Sequence, residues 1–477
     1  MLRFAIMIAA VGAFSCASRA APPPPDGWHR IAPDGPRDEI TLKAGGATGD
    51  RLFLAGSAGA RKWLAFVDRH GKTTARTYGG GGIVAAAPTA GGGLVLGGHG
   101  EAGKPWLGEV DRDGALRWQL EPRTEVNGEI YSIIAVPGGA VAAGVHNPLA
   151  MGRTDGWLVA VGPDGAGAKM RWEKRLSEGS YAFFKAVLAL PNGRLMALGA
   201  KKRDTYLGWI VTVDADGGDV REQVRASQQW EQLGPVVAGP GDTVYALGES
   251  SASQGLARSE GKALVERIGP DGARVWRAEI GERVVAAASP VATPEGVAFL
   301  AATVAGKDVG DLWLVRVSAD GKRDEWAKLD AGAVMLDWVT QAGFLVPRTG
   351  GGLDVLLVRP AKGGPKGALE WRLAPAPGGE PPVYPGARRL CAQHVVGSGG
   401  SGHISFALYA TADAFEEVAK FYRARFPAAT GDDKEIDVKL PGDRAISIHR
   451  PGAGHPTCDV APAATDRTVI VVSQMIR

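Results

Sequence analysis

Three features of this sequence predict a mainly β protein, a seven-bladed β-propeller followed by a small α+β domain. An apolar phrase recurs about every fifty residues, the 69 glycines suit many tight turns, and all 13 tryptophans lie at or before Trp371. The phrase reads WLAFVDRHG from Trp63, WLGEVDRDG from Trp106, WLVAVGPDG from Trp157 and WIVTVDADG from Trp209. It returns as LVERIGPDG from Leu264, WLVRVSADG from Trp313 and, more weakly, VLLVRPAKGG from Val355. Each copy alternates like a strand and runs into a turn whose glycine is Gly71, Gly114, Gly165, Gly217, Gly272, Gly321 or Gly363.

A second phrase interleaves with the first. It starts at Val84, Ile133, Val187, Val236 and Ser289 and carries Pro88, Pro137, Pro191, Pro240 and Pro294. Each unit therefore holds two hairpins, or four short strands. A lone four-stranded meander cannot bury both faces, whereas seven arranged radially each pack on the next. A solenoid would use one or two strands per coil, so residues 27–373 are predicted to form the propeller. Trp118, Trp172, Trp276, Trp326 and Trp371 follow the turn at a similar place, which predicts packing between blades rather than a sugar platform.

The N-terminus reads as a targeting segment. Arg3 precedes the apolar run FAIMIAAVGAF, too short to span a membrane, and residues 1–15 are expected to be a signal peptide. Ala13-Phe14-Ser15-Cys16 is similar to a bacterial lipobox, with Cys16 as the lipidated residue and residues 16–26 (APPPP) as a stiff tether. Cleavage after Ala20 is the other possible exit. Of the three cysteines, lipidation of Cys16 leaves Cys391 and Cys458 to form a disulfide in an oxidising compartment, the alternative being two buried thiols.

From residue 374 the composition changes. Residues 374–385 are a Pro/Gly linker and 386–477 a small α+β domain with the order β-α-β-β-β. Its helix places Phe415, Val418, Phe421, Tyr422 and Phe426 on one face, with Thr411 or Asp413 as the expected cap.

Charge is nearly balanced at +3 and no Lys/Arg cluster occurs, which argues against nucleic acid or an anionic membrane as partner. The Asp-Gly pairs at Asp111 and Asp214 lack the further acidic ligands of a calcium loop and read as turns. His29, His70, His99 and His146 are scattered. His394, His403, His449 and His455 have no ligand-like spacing. No catalytic, cofactor-binding or metal-binding residue is therefore assigned, and no nucleophile, zinc or phosphate motif occurs.

The blade pattern, apolar run to Asp-Gly turn to Trp, resembles bacterial quinoprotein-like and delta-60-type repeat propellers. That resemblance implies a scaffold. It does not bring the quinone, because the seven repeats hold no cysteine for the disulfide ring such enzymes carry. The C-terminal "YPGA" at Tyr384–Ala387 and the helix pattern ending in Phe421-Tyr422 resemble an uncharacterised domain of exported Gram-negative, especially myxobacterial, proteins. The expectation is a monomeric, non-enzymatic envelope scaffold binding a protein or glycan, analogous to the propeller lipoprotein of the outer-membrane barrel-assembly machinery. It would touch the membrane only through its lipid. The alternative is a secreted polysaccharide lyase or hydrolase with its site in the propeller funnel. The innermost phrases are small and apolar, which predicts a plain channel.

Overall fold

The computed structural model describes residues 29–31, 39–68, 72–122, 127–147, 154–165, 167–177, 181–251, 262–281, 284–304, 309–322, 324–329, 334–335, 343–347, 353–361, 368–376, 384, 386–396, 403–440, 444–452 and 460–476. Cys16, His70, Gly71, Gly363, His455 and Cys458 lie outside them, as do the segments expected to be a signal peptide and tether. Two compact units result, the second taking up residues 323–328 and 377–477. Among the described residues no helix is long and apolar enough to cross a membrane.

Among the described residues seven antiparallel sheets follow one another along the chain: sheet 1 (40–80), sheet 2 (82–120), sheet 3 (127–176), sheet 4 (182–224), sheet 5 (230–280), sheet 6 (284–335) and sheet 7 (343–375). Each of the first five is a four-stranded meander in chain order. The first strand of every sheet touches the first strand of the next, and the first strand of sheet 7 touches that of sheet 1. The ring is therefore closed, with the first strands innermost. This is the arrangement of a β-propeller.

The chain's start helps to close it. His29–Ile31 pairs with the last strand of sheet 7, Leu369–Pro375, so the outermost strand of that sheet comes from the other end of the sequence. His29 stacks on Trp371 at 4.6 Å, and Arg30 bonds Glu370 at 3.1 Å. The last strand also runs to Pro375, two residues into the expected linker.

The two recurring phrases are the two hairpins of each sheet. Trp63, Trp106, Trp157 and Trp209 open the third strands and are fully buried between sheets. Their indole N–H groups find partners where a neighbouring strand offers one: Trp106 donates to Gln119, Trp157 to Glu173 and Trp209 to Glu222. Four of the five tryptophans expected to pack between blades reach the following sheet, whereas Trp326 donates to Asp324 of its own strand. Trp172 donates to the Ala215 carbonyl and Trp276 to that of Ala319, both at the turn of the next sheet, while Trp118 and Trp371 join inter-sheet clusters. The Asp111 turn behaves as a turn: its carboxylate accepts the backbone N–H groups of Asp113 and Ala115, and Gly114 takes φ +76°.

A further regularity lies in the first strands. In sheets 1, 2, 3, 4 and 6 the first strand bulges by one residue, at Lys43, Val84, Tyr131, Lys185 and Val285; sheet 5 does the same at Gly234-Pro235. A bulge turns the extra side chain out of the alternation. Opposite it stand Gly56, Gly98, Gly144, Gly199 and Gly248. A Cβ on any of these would collide with the carbonyl oxygen of Thr41, Gly82, Glu129, Phe183 or Gln232. Gly56 and the glycines closing four of the five second phrases thus make room for the bulge, whereas sheet 6 bulges opposite Ala302 and Thr303.

The second unit differs from the expected β-α-β-β-β order. Arg388–Val396 is an additional first strand and Thr430–Gly431 a short further one, giving a six-stranded sheet. Arg388–Val396 is an edge strand whose sequence, RRLCAQHVV, does not alternate. The helix, α1 (Phe415–Arg425), buries Phe415, Val418 and Tyr422 against that sheet, with Phe421 and Phe426 at the margin. Its N-cap is Ala414, with no side-chain cap bond; Thr411 instead accepts from the Asp413 N–H, so neither expected residue caps the helix. Glu416 and Glu417 in the first turn face the positive end of the dipole.

Candidate functional site

In an antiparallel meander the start of the first strand, the end of the second and the start of the third lie at one end. At that end of the ring, where sheets 3, 4 and 5 adjoin, polar groups gather that the sequence reading left unassigned. Tyr131 and Lys185 are both bulge residues of innermost strands, and both are buried, at 1% and 5% exposure. The Tyr131 hydroxyl donates to Glu129 at 2.7 Å, and the Gln232 amide donates to Glu249 at 2.9 Å. Lys185 Nζ stands 5.4 Å from the Tyr131 ring centre and 5.5 Å from that of Phe183, with the charges of Glu249 and Glu129 acting on it.

The electrostatics follow from burial. Loss of water pushes the Lys185 ammonium down to about 8, although the carboxylates of Glu249 and Glu129 pull the other way. Burial, and then Glu129, hold the Tyr131 phenol well above its ordinary value, so it remains a neutral donor. Lys43, the bulge residue of sheet 1, is also lowered by burial. A plain apolar channel was expected. The apolar phrases do form the innermost strands, but Tyr131 and Lys185 come just ahead of the phrases that begin at Ile133 and Val187.

Sheet 4 continues the site toward solvent. Phe183 and Tyr206 lie 5.8 Å apart, and Lys202 Nζ stands 5.1 Å from the Tyr181 ring and 6.0 Å from Tyr206. Tyr181 is 42% exposed. The rim is thus an aromatic surface carrying a cation, leading inward through Phe183 to Lys185. Chemically, such a place offers ring faces, two ammonium groups and fixed amide and carboxylate partners.

The remaining residues of interest are separate from it. His146 is buried on sheet 3 with Nδ1 3.7 Å from Asp155, and burial lowers its pKa. His99 is exposed at the end of its strand. His449 is buried in the second unit, 3.7 Å from Glu435. Among the described residues no three His, Cys, Asp or Glu side chains are grouped to hold a metal. Cys391 lies half-buried on Arg388–Val396, packed against the cluster of Leu390, Phe406 and Leu408. The second unit also has a groove of about 620 Å³ along α1, lined by Phe415, Lys420, Arg423, Asp432 and Asp433 among others.

No family model and no curated protein matches the chain. Solved structures do resemble it. A puromycin hydrolase S511A mutant is 13% identical with a TM-score of 0.46, over 85% of this chain and 62% of the hydrolase, so the chain spans less than two thirds of that protein. A Dyadobacter fermentans protein of unknown function is 12% identical with a TM-score of 0.43, over 73% of this chain and 99% of that one. The β-propeller domain of the trilobed protease from Pyrococcus furiosus, which has an open velcro topology, is 7% identical with a TM-score of 0.43, over 73% and 98%. It is the closed ring of sheets in this chain that makes its fold a β-propeller.

Proposed function

We propose that residues 27–373 are a seven-bladed propeller acting as a non-enzymatic binding platform in the cell envelope, held there by a lipid on Cys16. The observation that carries the binding reading is the convergence of Glu129, Tyr131, Lys185, Gln232 and Glu249 beside the aromatic rim. Tyr131 with Glu129 and Gln232 with Glu249 are mutually bonded, so they present fixed donors and acceptors. Purified mature protein should sediment with envelopes from cells lacking it, and Tyr181→Ala should weaken that sedimentation. No sedimentation above that of an unrelated propeller would refute the platform.

A funnel enzyme acting on polysaccharide is the second reading. It is favoured by Lys185, whose pKa near 8 suits a base. Soluble fragments released from envelopes by wild type and not by Lys185→Met would establish it and displace the first.

The anchor and the disulfide remain proposals on Cys16, Cys391 and Cys458. Labelled palmitate should enter the wild type and not Cys16→Ala; an unlabelled wild type removes the lipid. The pairing of Cys391 with Cys458 is supported by topology. The strand of Cys391 is separated by one strand from Thr468–Ile476, and only nine residues lie between Cys458 and Thr468. Mass analysis of alkylated, exported protein showing both thiols modified would rule the bridge out.

A further inference from the structure

We propose that the ligand of this site is an acidic glycan, a chain of sugars bearing carboxylates; the proposal rests on the platform reading and names what the platform holds. The rim supplies three rings within one patch, Tyr181, Phe183 and Tyr206, with Tyr181 the most open to solvent. Ring faces of this kind take up the C–H face of a pyranose, which buries apolar surface without asking for hydrogen bonds. The cation of the rim is Lys202, which stands over Tyr181 and Tyr206, where it can meet a carboxylate on a sugar lying across them. Further in, the Lys185 ammonium lies beside Phe183, and the exposed Glu129 with the half-buried Gln232 and Glu249 offer the amide donor and the acceptors that sugar hydroxyls need.

Charge narrows the class. Aromatic rings with lysines would also suit single-stranded nucleic acid. Here, however, Glu129 and Glu249 stand at the same end as the two lysines, and they would repel a continuous phosphate chain. A uronate residue carries one charge per ring and several hydroxyls, so it can use lysine and glutamate together. Neutral glycans would leave Lys202 without a partner from the ligand.

Calorimetric titration of the mature protein with galacturonate, glucuronate and mannuronate oligomers tests this, with neutral galactose and glucose oligomers and single-stranded RNA as comparators. At least one uronate series should bind about tenfold more tightly than its neutral counterpart, with the preference fading in salt. Tyr181→Ala should weaken uronate binding about tenfold, and Lys202→Gln should abolish the preference over the neutral sugar. Tyr181 and Lys202 are both exposed, so unchanged melting temperatures confirm that the variants fold. Equal binding of charged and neutral sugars, binding of none, or tighter binding of RNA overturns the proposal. If envelopes still bind the protein in those cases, only the glycan falls. If they do not, the platform reading falls with it.

Discussion

Gly199 and Trp209 face each other across adjacent strands of sheet 4, and the glycine is pressed from its other side by the carbonyl of Phe183. The same relation joins Gly56 to Trp63, Gly98 to Trp106 and Gly144 to Trp157. One residue without a side chain thus allows the inner strand to bulge while the large ring next door seals the gap between sheets. The bulge is what sets Lys185 out of its strand's alternation. Structure and site share this glycine.

A methyl group at Gly199 should therefore cost more than a loss of backbone freedom would. Gly199→Ala must push the Phe183 carbonyl away or flatten the bulge, and overpacking of this kind costs roughly 1–3 kcal/mol. Urea denaturation should show that loss. Gly165→Ala, at a turn with open space around its Cβ position, should lose less despite its φ of +60°. Equal losses at the two sites would contradict the bulge explanation.

Lys185 makes a pH-dependent prediction. Its folded pKa is lowered from 10.5 to about 8, so between those values the unfolded chain holds the proton more tightly. Stability should rise with pH through that window, and below it the full cost of the buried ammonium persists. The size is about 3 kcal/mol, from the free energy of a unit shift. Lys185→Met should remove this rise and should be the more stable protein at pH 7. Denaturation curves at pH 7 and pH 10 decide the matter: parallel pH dependence in the two proteins would mean that the amine is not buried as described. A lysine that destabilises its own fold is a mark of a functional position.

Much of the architecture was legible in the sequence because period-2 alternation and Asp-Gly turns report local geometry, and their repetition reports the sheets. Trp172 and Trp276 were likewise readable, since a ring repeated at one place has a repeated job. Lys185, Tyr131 and Glu129 were not. They sit on the innermost strands, but each belongs to a different sheet position or residue type, so repetition gives no signal. Their meeting depends on contacts between sheets more than fifty residues apart, as for Tyr131 and Lys185. The glycine closing four of the five second phrases, as in VLALPNGRLMALG, is the one mark of the bulge that the sequence carries. The strand Arg388–Val396 was missed because an exposed edge need not alternate.

Sheet 5 breaks the tryptophan rule, with Leu264 opposite Gly248. Its neighbourhood is occupied by ions. Glu266 is fully buried and bonded by Arg225 at 3.0 Å and Arg274 at 3.1 Å. Removing the carboxylate strands a buried guanidinium, so Glu266→Ala should lose about 3–5 kcal/mol. Replacing the pair together, as Arg225→Met with Glu266→Leu, should recover most of that loss, because Arg274 is partly exposed and can turn to water. Thermal and urea unfolding of both variants are the measurement. A double variant as weak as the single one would show that the ions hold the interface by something other than mutual neutralisation.

The strand His29–Ile31 makes the last prediction. It adds backbone pairing to the outer edge of sheet 7, stacks His29 on Trp371 and places Ile31 in the cluster shared by sheets 1 and 7. A protein beginning at residue 32 would leave that edge unpaired and the Trp371 ring exposed on one side. Open edges of this kind associate with other chains. The truncated protein should melt at a clearly lower temperature and aggregate on heating, whereas His29→Ala, which keeps the strand and loses only the stacked ring, should cost about 0.5–1.5 kcal/mol. Adding the missing segment back as a synthetic peptide covering residues 27–38 should restore part of the loss, since the edge then has a strand to pair with. If the truncation melts with the full chain, the strand does not hold the ring shut, and contact between the first strands of sheets 1 and 7 is sufficient by itself.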